Sequence, residues 1–193
     1  PFLVVQNTLI LTHTAVKVSD LENIKFQNIF NVIAPFLEEI FLEAFQAKNI
    51  RYFYAPKLQI VGKSAFARCS NLYCVVGNQI RTIGYSTFYD CFNLSHISCQ
   101  LVENIEMDGI SNCALKELSI NRLKPNQKEN PFFENNNQLQ YINIGGLTKI
   151  DAYDFQNCPN LRSVRLPDME LVEGELEHLK TIKASTDSSE YIR

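Results

Sequence analysis

Apolar residues recur along this chain at intervals of about 22 residues. The recurrence is clearest at one bulky apolar position, held in turn by Phe45, Phe66, Phe88, Ile110, Phe133, Phe155 and Leu176. Successive members are separated by 21, 22, 22, 23, 22 and 21 residues. Because a unit of this length cannot bury its own apolar side chains, each unit has to stack on its neighbours. The pattern therefore predicts a solenoid.

Each unit carries the same internal spacing. If the leucine that opens a unit is position 0, apolar residues recur at positions 3, 5, 8 and 11, and the bulky residue follows at position 16. One copy reads Leu72, Val75, Gly77, Ile80, Ile83 and Phe88. The spacing of two between positions 3 and 5 places both side chains on one side of a short strand. We expect an α/β repeat solenoid with parallel strands on one face and short strands or helical turns on the other.

A cysteine follows three residues after the bulky position in four copies, as Cys69, Cys91, Cys113 and Cys158. Asn136 holds the same place in the copy after Cys113. Stacked units lie within the Cα separation that a disulfide tolerates, so bridges are one possibility. The repeat already explains the spacing, which favours free, buried, structural thiols. No C-x2-C pair is present, so we expect no metal and no cofactor.

The segments LQIVGKSAFARCSNLYCV, IRTIGYSTFYDCFNLSHI and LTKIDAYDFQNCPNLRSV carry this pattern most completely. They resemble the BspA-type (Treponema pallidum-type) leucine-rich repeats of bacterial and protist surface proteins. The hallmark of that family is I-G-x-x-A-F-x-x-C-x-x-L-x-x-I. The resemblance covers about residues 37–184 and implies a leucine-rich-repeat fold and attachment to host proteins or to other cells. The polar, proline-interrupted stretch 121–137 departs from it and is expected to loop out on the convex side.

The N-terminal segment is less regular. Val16 is assigned to position 16 of a first unit, with Leu11, Val5 and Leu3 at positions 11, 5 and 3. On that register about eight residues are inserted before Phe45. We therefore divide the solenoid, residues 1–184, into irregular first repeats 1–44 and regular repeats 45–184, followed by a polar tail 185–193. The first unit lacks its opening residue, so a larger parent protein is expected.

Composition and motifs exclude several classes of function. A net charge of -3 offers no dense basic surface, so no nucleic-acid partner is expected. No apolar run approaches about 18 residues, so no membrane insertion is expected. His13, His96 and His178 fall in different repeats without recurring carboxylate or nucleophile partners, and the chain is expected to be non-enzymatic with no catalytic residue. Asn93 begins a formal glycosylation motif, but a structural role in a turn is favoured.

The predicted partner surface is the outward side of the strands, at positions 2 and 4. Its candidate residues are Tyr52, Tyr54, Val76, His96, Tyr141, Arg165 and Lys183. Tyrosine is common in protein interfaces, although it is also simply a good strand former. Arg165 and Lys183 would suit an acidic partner. A second candidate surface is the apolar insertion that contains Ile29, Phe30 and Ile33.

These observations favour a protein-binding or adhesion module within a larger surface or secreted protein. Its partner would be a protein of the host or of the same cell's surface. The alternative is a structural spacer or a self-associating scaffold, possible also in the cytoplasm, because solenoid ends expose strand edges unless they are capped. The sequence leaves the oligomeric state open.

Overall fold

The computed structural model describes residues 2–124, 132–147, 149–151, 155, 157–168, 171–173 and 182–184. Strands account for nearly all of its regular structure. In chain order they are β1 Phe2–Val5, β2 Thr8–Leu11, β3 Ala15–Val16, β4 Asn31–Ile33, β5 Glu39–Ile40, β6 Tyr52–Tyr54, β7 Ile60–Val61, β8 Cys74–Val76, β9 Thr82–Ile83, β10 His96–Ile97, β11 Asn104–Ile105, β12 Glu117–Ile120, β13 Tyr141–Ile144, β14 Lys149–Asp151, β15 Ser163–Leu166, β16 Leu171–Glu173 and β17 Ile182–Ala184. Helix α1 spans Val18–Leu21, and a 3-10 segment spans Phe26–Asn28.

The strands form four sheets that follow the repeat. The first sheet has the order β1-β2-β4-β6-β8-β10, and the second has the order β3-β5-β7-β9-β11. The same repeat positions then form a third sheet, β12-β13-β15-β17, and a fourth, β14-β16. The predicted solenoid of stacked units with parallel strands is confirmed. Each unit of the N-terminal half adds one strand to each of two sheets, and the core lies between them.

The bulky residue of each unit builds the centre of the core. Phe66 stacks between Phe45 and Phe88, with ring centroids 5.4 and 5.3 Å apart and planes within 9° and 7° of parallel. Phe53 of β6 meets Phe66 edge-on at 4.9 Å. The parallel stack ends at Ile110, which is also fully buried. One aliphatic residue in the ladder therefore separates two aromatic clusters, since Phe133 and Phe155 resume farther on with a tilted contact at 5.6 Å.

The turn that carries Phe66 is not a helix, whereas the turn of the first unit contains the four-residue helix α1, so the α/β expectation holds only in part. Ser64 and Arg68, on either side of Phe66, have left-handed φ angles of 52° and 61°, which a right-handed helix cannot contain. The backbone N–H groups of Phe66 and Arg68 donate instead to the carbonyls of Thr87 and Tyr89 in the next unit, at 2.9 and 2.8 Å. These inter-unit bonds replace the bonds within one turn that a helix needs, so the described repeats are almost entirely β structure.

The cysteines lie beside the same turns as hydrogen-bond donors. The Sγ of Cys69 lies 3.0 Å from the Phe45 carbonyl, and the Sγ of Cys91 lies 3.1 Å from the Phe66 carbonyl. Asn136 extends this role, because its Nδ2 donates to the Ile110 and Phe133 carbonyls at 2.9 and 2.7 Å. Its Oδ1 accepts from the N–H of Cys113 at 3.1 Å. Each thiol or amide therefore satisfies buried backbone groups that the turn leaves without a strand partner.

The first unit differs from its predicted register, and the assignment of Val16 to position 16 is wrong. Val16 pairs with Ile40 of β5, which puts it at position 11, and Leu9 pairs with Val32 of β4 at position 3. Leu21 fills the bulky position, since it lies five residues after Val16 as Phe45 lies five after Ile40. The predicted insertion before Phe45 is also absent from these residues, because β4 takes the regular place between β2 and β6.

The chain before β2 folds back as a hairpin. Phe2–Val5 form β1, which pairs antiparallel with β2, whereas the other paired strands of the first sheet are parallel. Leu3 and Val5 are therefore not core residues of a first unit. Regular stacking starts at Thr8, inside the segment 1–44 that the sequence leaves irregular. Leu176, the tail 185–193 and part of the expected loop, residues 125–131, lie outside the described residues.

Candidate protein-binding face

The outer side of the first sheet, here called the first face, presents two rows of side chains that cross the strands. Leu9, Val32, Phe53 and Val75 are fully buried at the middle of their strands, so the residues on either side of each point outward. Strand register aligns these outward residues. The first row, called the apolar row, contains Leu3, Ile10, Ile33, Tyr54 and Val76. The second row contains Val5, Thr8, Asn31, Tyr52, Cys74 and His96.

The apolar row is accessible along its length. Ile33 and Tyr54 are 37% and 36% exposed, Leu3 is more exposed, and Ile10 and Val76 are half-buried. Five apolar side chains on adjacent strands form a contiguous patch rather than scattered surface residues. Such patches are characteristic of interaction sites on soluble proteins.

Aromatic side chains widen the patch on both sides. Tyr73, just before β8, lies 6.3 Å from Tyr52 between ring centroids and is exposed. Ahead of the strands, the guanidinium of Arg51 lies 4.5 Å from the centre of the Phe30 ring. Beyond the strands, the Lys57 ammonium lies 5.5 Å from the centre of the Phe36 ring. The apolar row is thus bordered on each side by an aromatic ring in a cation–π contact, with Arg51 over Phe30 and Lys57 over Phe36.

The segments that form the first face contain no carboxylate. Neither Asp nor Glu occurs in the segments that cross this face, residues 6–14, 27–36, 49–57, 71–79 and 93–101. The chain as a whole has 21 acidic residues, and all of them lie outside these segments. Arg51 and Lys57 are the cations of these segments. The face therefore combines apolar and aromatic surface with positive charge.

The outer side of the second sheet, the second face, has a different character. Its outward strand residues are Ala15, Glu39, Ile60, Thr82 and Asn104. Glu103 binds Arg81 at 2.6 Å and Lys124 at 2.7 Å, and hydrogen bonds from Lys124 and Arg81 lower the pKa of Glu103. The segments that cross this face, residues 15–26, 37–48, 58–70, 80–92 and 102–114, contain nine carboxylates and six Lys or Arg residues. Charged side chains are therefore more frequent here than on the first face, and the exposed apolar residues Val18, Phe41, Leu42 and Ile60 lie among them.

The structure divides the predicted partner residues between two sheets. Tyr52, Tyr54, Val76 and His96 lie on the first face. Tyr141, Arg165 and Lys183 lie in the third sheet, on β13, β15 and β17, with Lys183 opposite Arg165 in register. The predicted continuous face is thus carried by two separate sheets.

The second predicted surface merges with the first. Ile33 belongs to the apolar row, and Phe30 borders it beneath Arg51. Ile29 is 2% exposed and lies in the core at position 0, so it is not a surface residue, and its assignment to an exposed insertion is corrected. Sequence reasoning missed Tyr73, Ile10 and Leu3. Tyr73 shares position 1 with Phe30 and Arg51, and reading that position across units would have found it.

The repeat geometry agrees with a comparison against known families. The model of the BspA-type leucine-rich repeat region matches residues 8–73 and 59–174, with six copies. The chain belongs to this family. A leucine-rich repeat protein from Bacteroides ovatus, known from its crystal structure, is similar at 18% identity over 79% of this chain and 54% of that one, with a TM-score of 0.37. The chain thus spans about half of that protein's length. A comparison with curated proteins gives no match.

The cysteines at the BspA-type repeat position are buried, whereas Cys74 is partly accessible to solvent. All six cysteines are unbridged, and five are buried. Burial raises the pKa of the Cys69 thiol to about 12 and that of the Cys158 thiol to about 11, although nearby backbone hydrogen bonds oppose the shift. Cys74 is half-buried on the first face, in β8, and burial raises its pKa as well. It is the accessible thiol of this family member.

The described residues hold no cluster of metal-ligating side chains. No group of three or more His, Cys, Asp or Glu side chains within them is arranged to hold a metal ion. None of their helices has the length and apolarity to cross a membrane. His13 and His96 lie in different units, and His178 falls outside the described residues.

Asn93 has a structural partner. Its Nδ2 donates to the Ser70 carbonyl at 2.7 Å, and Asn160 makes the same bond to the Asn137 carbonyl at 2.7 Å. Asn71 donates to the side chain of Asn49 at 2.7 Å. These asparagines link each unit to the one before it, which supports the structural interpretation of the position in the turn.

Proposed function

We propose that this BspA-type repeat chain is a non-enzymatic protein-binding module and that its first face is the surface that binds. The observation that carries the proposal is the apolar row, in which five apolar side chains lie side by side without any carboxylate in the surrounding segments. Leucine-rich repeats are repeat modules that commonly mediate protein interactions. This concentration of apolar side chains on one face favours binding through a specific surface over non-specific hydrophobic association of the whole chain.

Physical chemistry favours the first face over the second. Tyr52, Tyr54 and Tyr73 combine large apolar area with a hydroxyl group and lose little conformational entropy when they are fixed. The second face would have to desolvate paired charges such as Glu103 and Arg81, which costs free energy that the pairing only partly returns. Binding through the first face avoids that cost.

Capture from extracts tests the proposal. The chain is immobilised beside an Ile33→Ser/Tyr54→Ser variant, with Ile60→Ser/Thr82→Ser on the second face as the matched control. Ile60 is 41% exposed and Ile33 is 37% exposed, so the two isoleucines are matched in size and in exposure. We expect a partner that the parent and the control capture and that the first-face variant loses. Equal capture by all three proteins would contradict the proposal, and circular dichroism checks that each variant is folded.

We also propose that the module acts in adhesion as part of a larger surface or secreted protein, with a partner on the host or on the same cell. Proteins with repeats of this family are often found there, which supports the proposal without deciding it. The test is the accessibility of this chain to antibody on intact, unpermeabilised cells. Staining only after permeabilisation would assign the module to the cell interior.

Self-association as a scaffold is a second candidate, favoured by β1. This outer strand of the first sheet carries four apolar residues, Phe2–Val5, that are all exposed. An uncharged outer strand can pair with a second copy. Light scattering tests it: mass that rises with concentration and falls in a Val5→Lys variant would support the scaffold, and a constant monomer mass would exclude it.

A further inference from the structure

We infer that the partner of the first face is an amphipathic α-helix with acidic flanks, lying across the strands along the apolar row. The inference rests on the proposed function and goes further, because it names the shape and the charge of the bound segment. It is argued from the direction of the row, its spacing and its charged borders.

The spacing of the row matches a helix. Leu3, Ile10, Ile33, Tyr54 and Val76 lie on five adjacent strands. With strands about 4.8 Å apart, the row is about 19 Å long and presents one apolar side chain at each step. A helix places side chains of one stripe about 5.4 Å apart per turn and covers this length with about 13 residues. Successive turns of the helix would therefore meet successive strands.

An extended segment fits the same row poorly. Side chains on one side of a strand repeat every 6.6 to 6.8 Å or so, and over four steps they drift about 8 Å from the row. The mismatch of a helix over the same steps is about 2 Å. Pairing along the sheet edge would use Leu3 of β1 alone, because the other four residues of the row lie on the interior strands β2, β4, β6 and β8.

The borders of the row determine the charge of the partner. Arg51 on one side and Lys57 on the other are held over Phe30 and Phe36, and no acid in the same segments neutralises them. A helix seated between them would place its flanking residues near both cations. Glutamate or aspartate on those flanks gains attraction on both sides, whereas lysine is repelled on both.

Three synthetic 18-residue peptides test the inference by fluorescence polarisation. The first has leucines along one helical stripe and glutamates on its flanks. The second has lysines in place of the glutamates, and the third has the first peptide's sequence with a central proline that breaks the helix. We expect the glutamate peptide to bind at least tenfold more tightly than either of the others.

Two variants of the chain, each compared with a control variant, test where the peptide binds. Ile33→Ser/Tyr54→Ser should lose the glutamate peptide, whereas Ile60→Ser/Thr82→Ser should keep it. Lys57→Glu should weaken binding several-fold. Its matched control is Lys63→Glu, because the Lys63 ammonium lies over the Tyr85 ring at 5.3 Å as Lys57 lies over Phe36, but outside the first face. The control should bind as the parent does.

The outcomes separate this inference from the proposed function. Equal binding of the proline peptide, preference for the lysine peptide, or no binding of the glutamate peptide would overturn the inference. If capture of a natural partner still depended on Ile33 and Tyr54, the proposed function would stand and only the helix would be lost. If the first-face variant also captured the natural partner as well as the parent does, both the helix inference and the proposed function would be contradicted.

Discussion

The two outer faces of this solenoid are built by the same repeat and differ in almost everything else. Both consist mainly of short parallel strands over one core, and both present outward side chains that align from unit to unit, in two rows on the first face and in one on the second. On the first face that spacing aligns Ile33, Tyr54 and Val76 in an apolar row. On the second face it aligns a mixed row, Ala15, Glu39, Ile60, Thr82 and Asn104, and beside this row Glu103 is held between Arg81 and Lys124.

The difference shows that the fold alone does not determine the surface. The repeat dictates only the inward residues, since each unit has to bury them against its neighbours. Outward positions are free, and a free position on a strand ordinarily carries polar residues. We propose that the row of exposed apolar residues without acids on the first face reflects a requirement other than stability. The predictions that follow test this comparison through the shared core, the thiols, the turns and the ion pairs.

The largest expected effect comes from the core that both faces share. Phe66→Ala removes the central ring of the stack with Phe45 and Phe88 and should lower the free energy of unfolding by about 3–5 kcal/mol. Tyr54→Ala, on the first face, should cost far less, because Tyr54 is partly exposed. Urea denaturation measures both. Similar losses of unfolding free energy in the two variants would contradict the assignment of Phe66 to the core and of Tyr54 to the surface.

Thiol labelling should separate the first face from the interior. A pKa of about 12 for Cys69, against the usual 9, leaves about 1,000-fold less thiolate at pH 8 than in a free cysteine. Cys74 should therefore react with iodoacetamide in the native protein, although more slowly than a free thiol, and all six cysteines should react in urea. Peptide mass spectrometry reads each site. Rapid native labelling of Cys69 or Cys91 would contradict the described burial.

A smaller effect is expected at the turns, which belong to neither face. Asn136→Ala leaves the Ile110 and Phe133 carbonyls without their donor and should cost about 1–3 kcal/mol. Asn136→Cys should recover part of this loss, because a thiol donates to the corresponding carbonyl in other units. Thermal melting ranks the variants. Partner capture should be unchanged in both, which would keep the first face apart from the rest of the repeat.

The smallest effect belongs to the ion pairs of the second face. Glu103→Gln should lower the melting temperature slightly at pH 7, because Lys124 and Arg81 lower the pKa of the carboxyl. A lowered pKa stabilises the fold above the ordinary pKa of glutamate, and this contribution disappears as the pH falls through the lowered value. The gap between parent and variant should therefore close in acid and in high salt. A gap that persists at low pH would contradict this account.

The interior was largely predictable from the sequence, because burial imposes a period. Phe45, Phe66 and Phe88 can be aligned without a structure, and they lie in one stack. The first unit was misread because positions 11 and 16 are five apart, and Leu11, Val16 and Leu21 also follow at intervals of five. The pattern fits one step out of register equally well, and only strand pairing with Ile40 decides between the two alignments.

The surface was less predictable, for two physical reasons. The register error hid Ile10 and Leu3, which join Ile33 and Tyr54 only through strand pairing. The predicted helical turn does not form around Phe66, because the amides of Phe66 and Arg68 donate to carbonyls of the next unit. Local sequence does not reveal this pairing. The distribution of acids was available from the sequence, provided that charges are counted by repeat position rather than over the whole chain.

Protection of Cys74 tests the central claim most directly. Its thiol lies on the first face between Tyr52 and His96, and a Thr82→Cys substitution places a second thiol on the second face in the same repeat unit. Alkylation of both thiols is followed with and without the captured partner. We predict that the partner slows labelling of Cys74 at least tenfold and leaves labelling of the introduced thiol unchanged. Equal rates at Cys74 in the free and bound protein, or protection of the second face instead, would contradict the assignment of the first face as the binding surface.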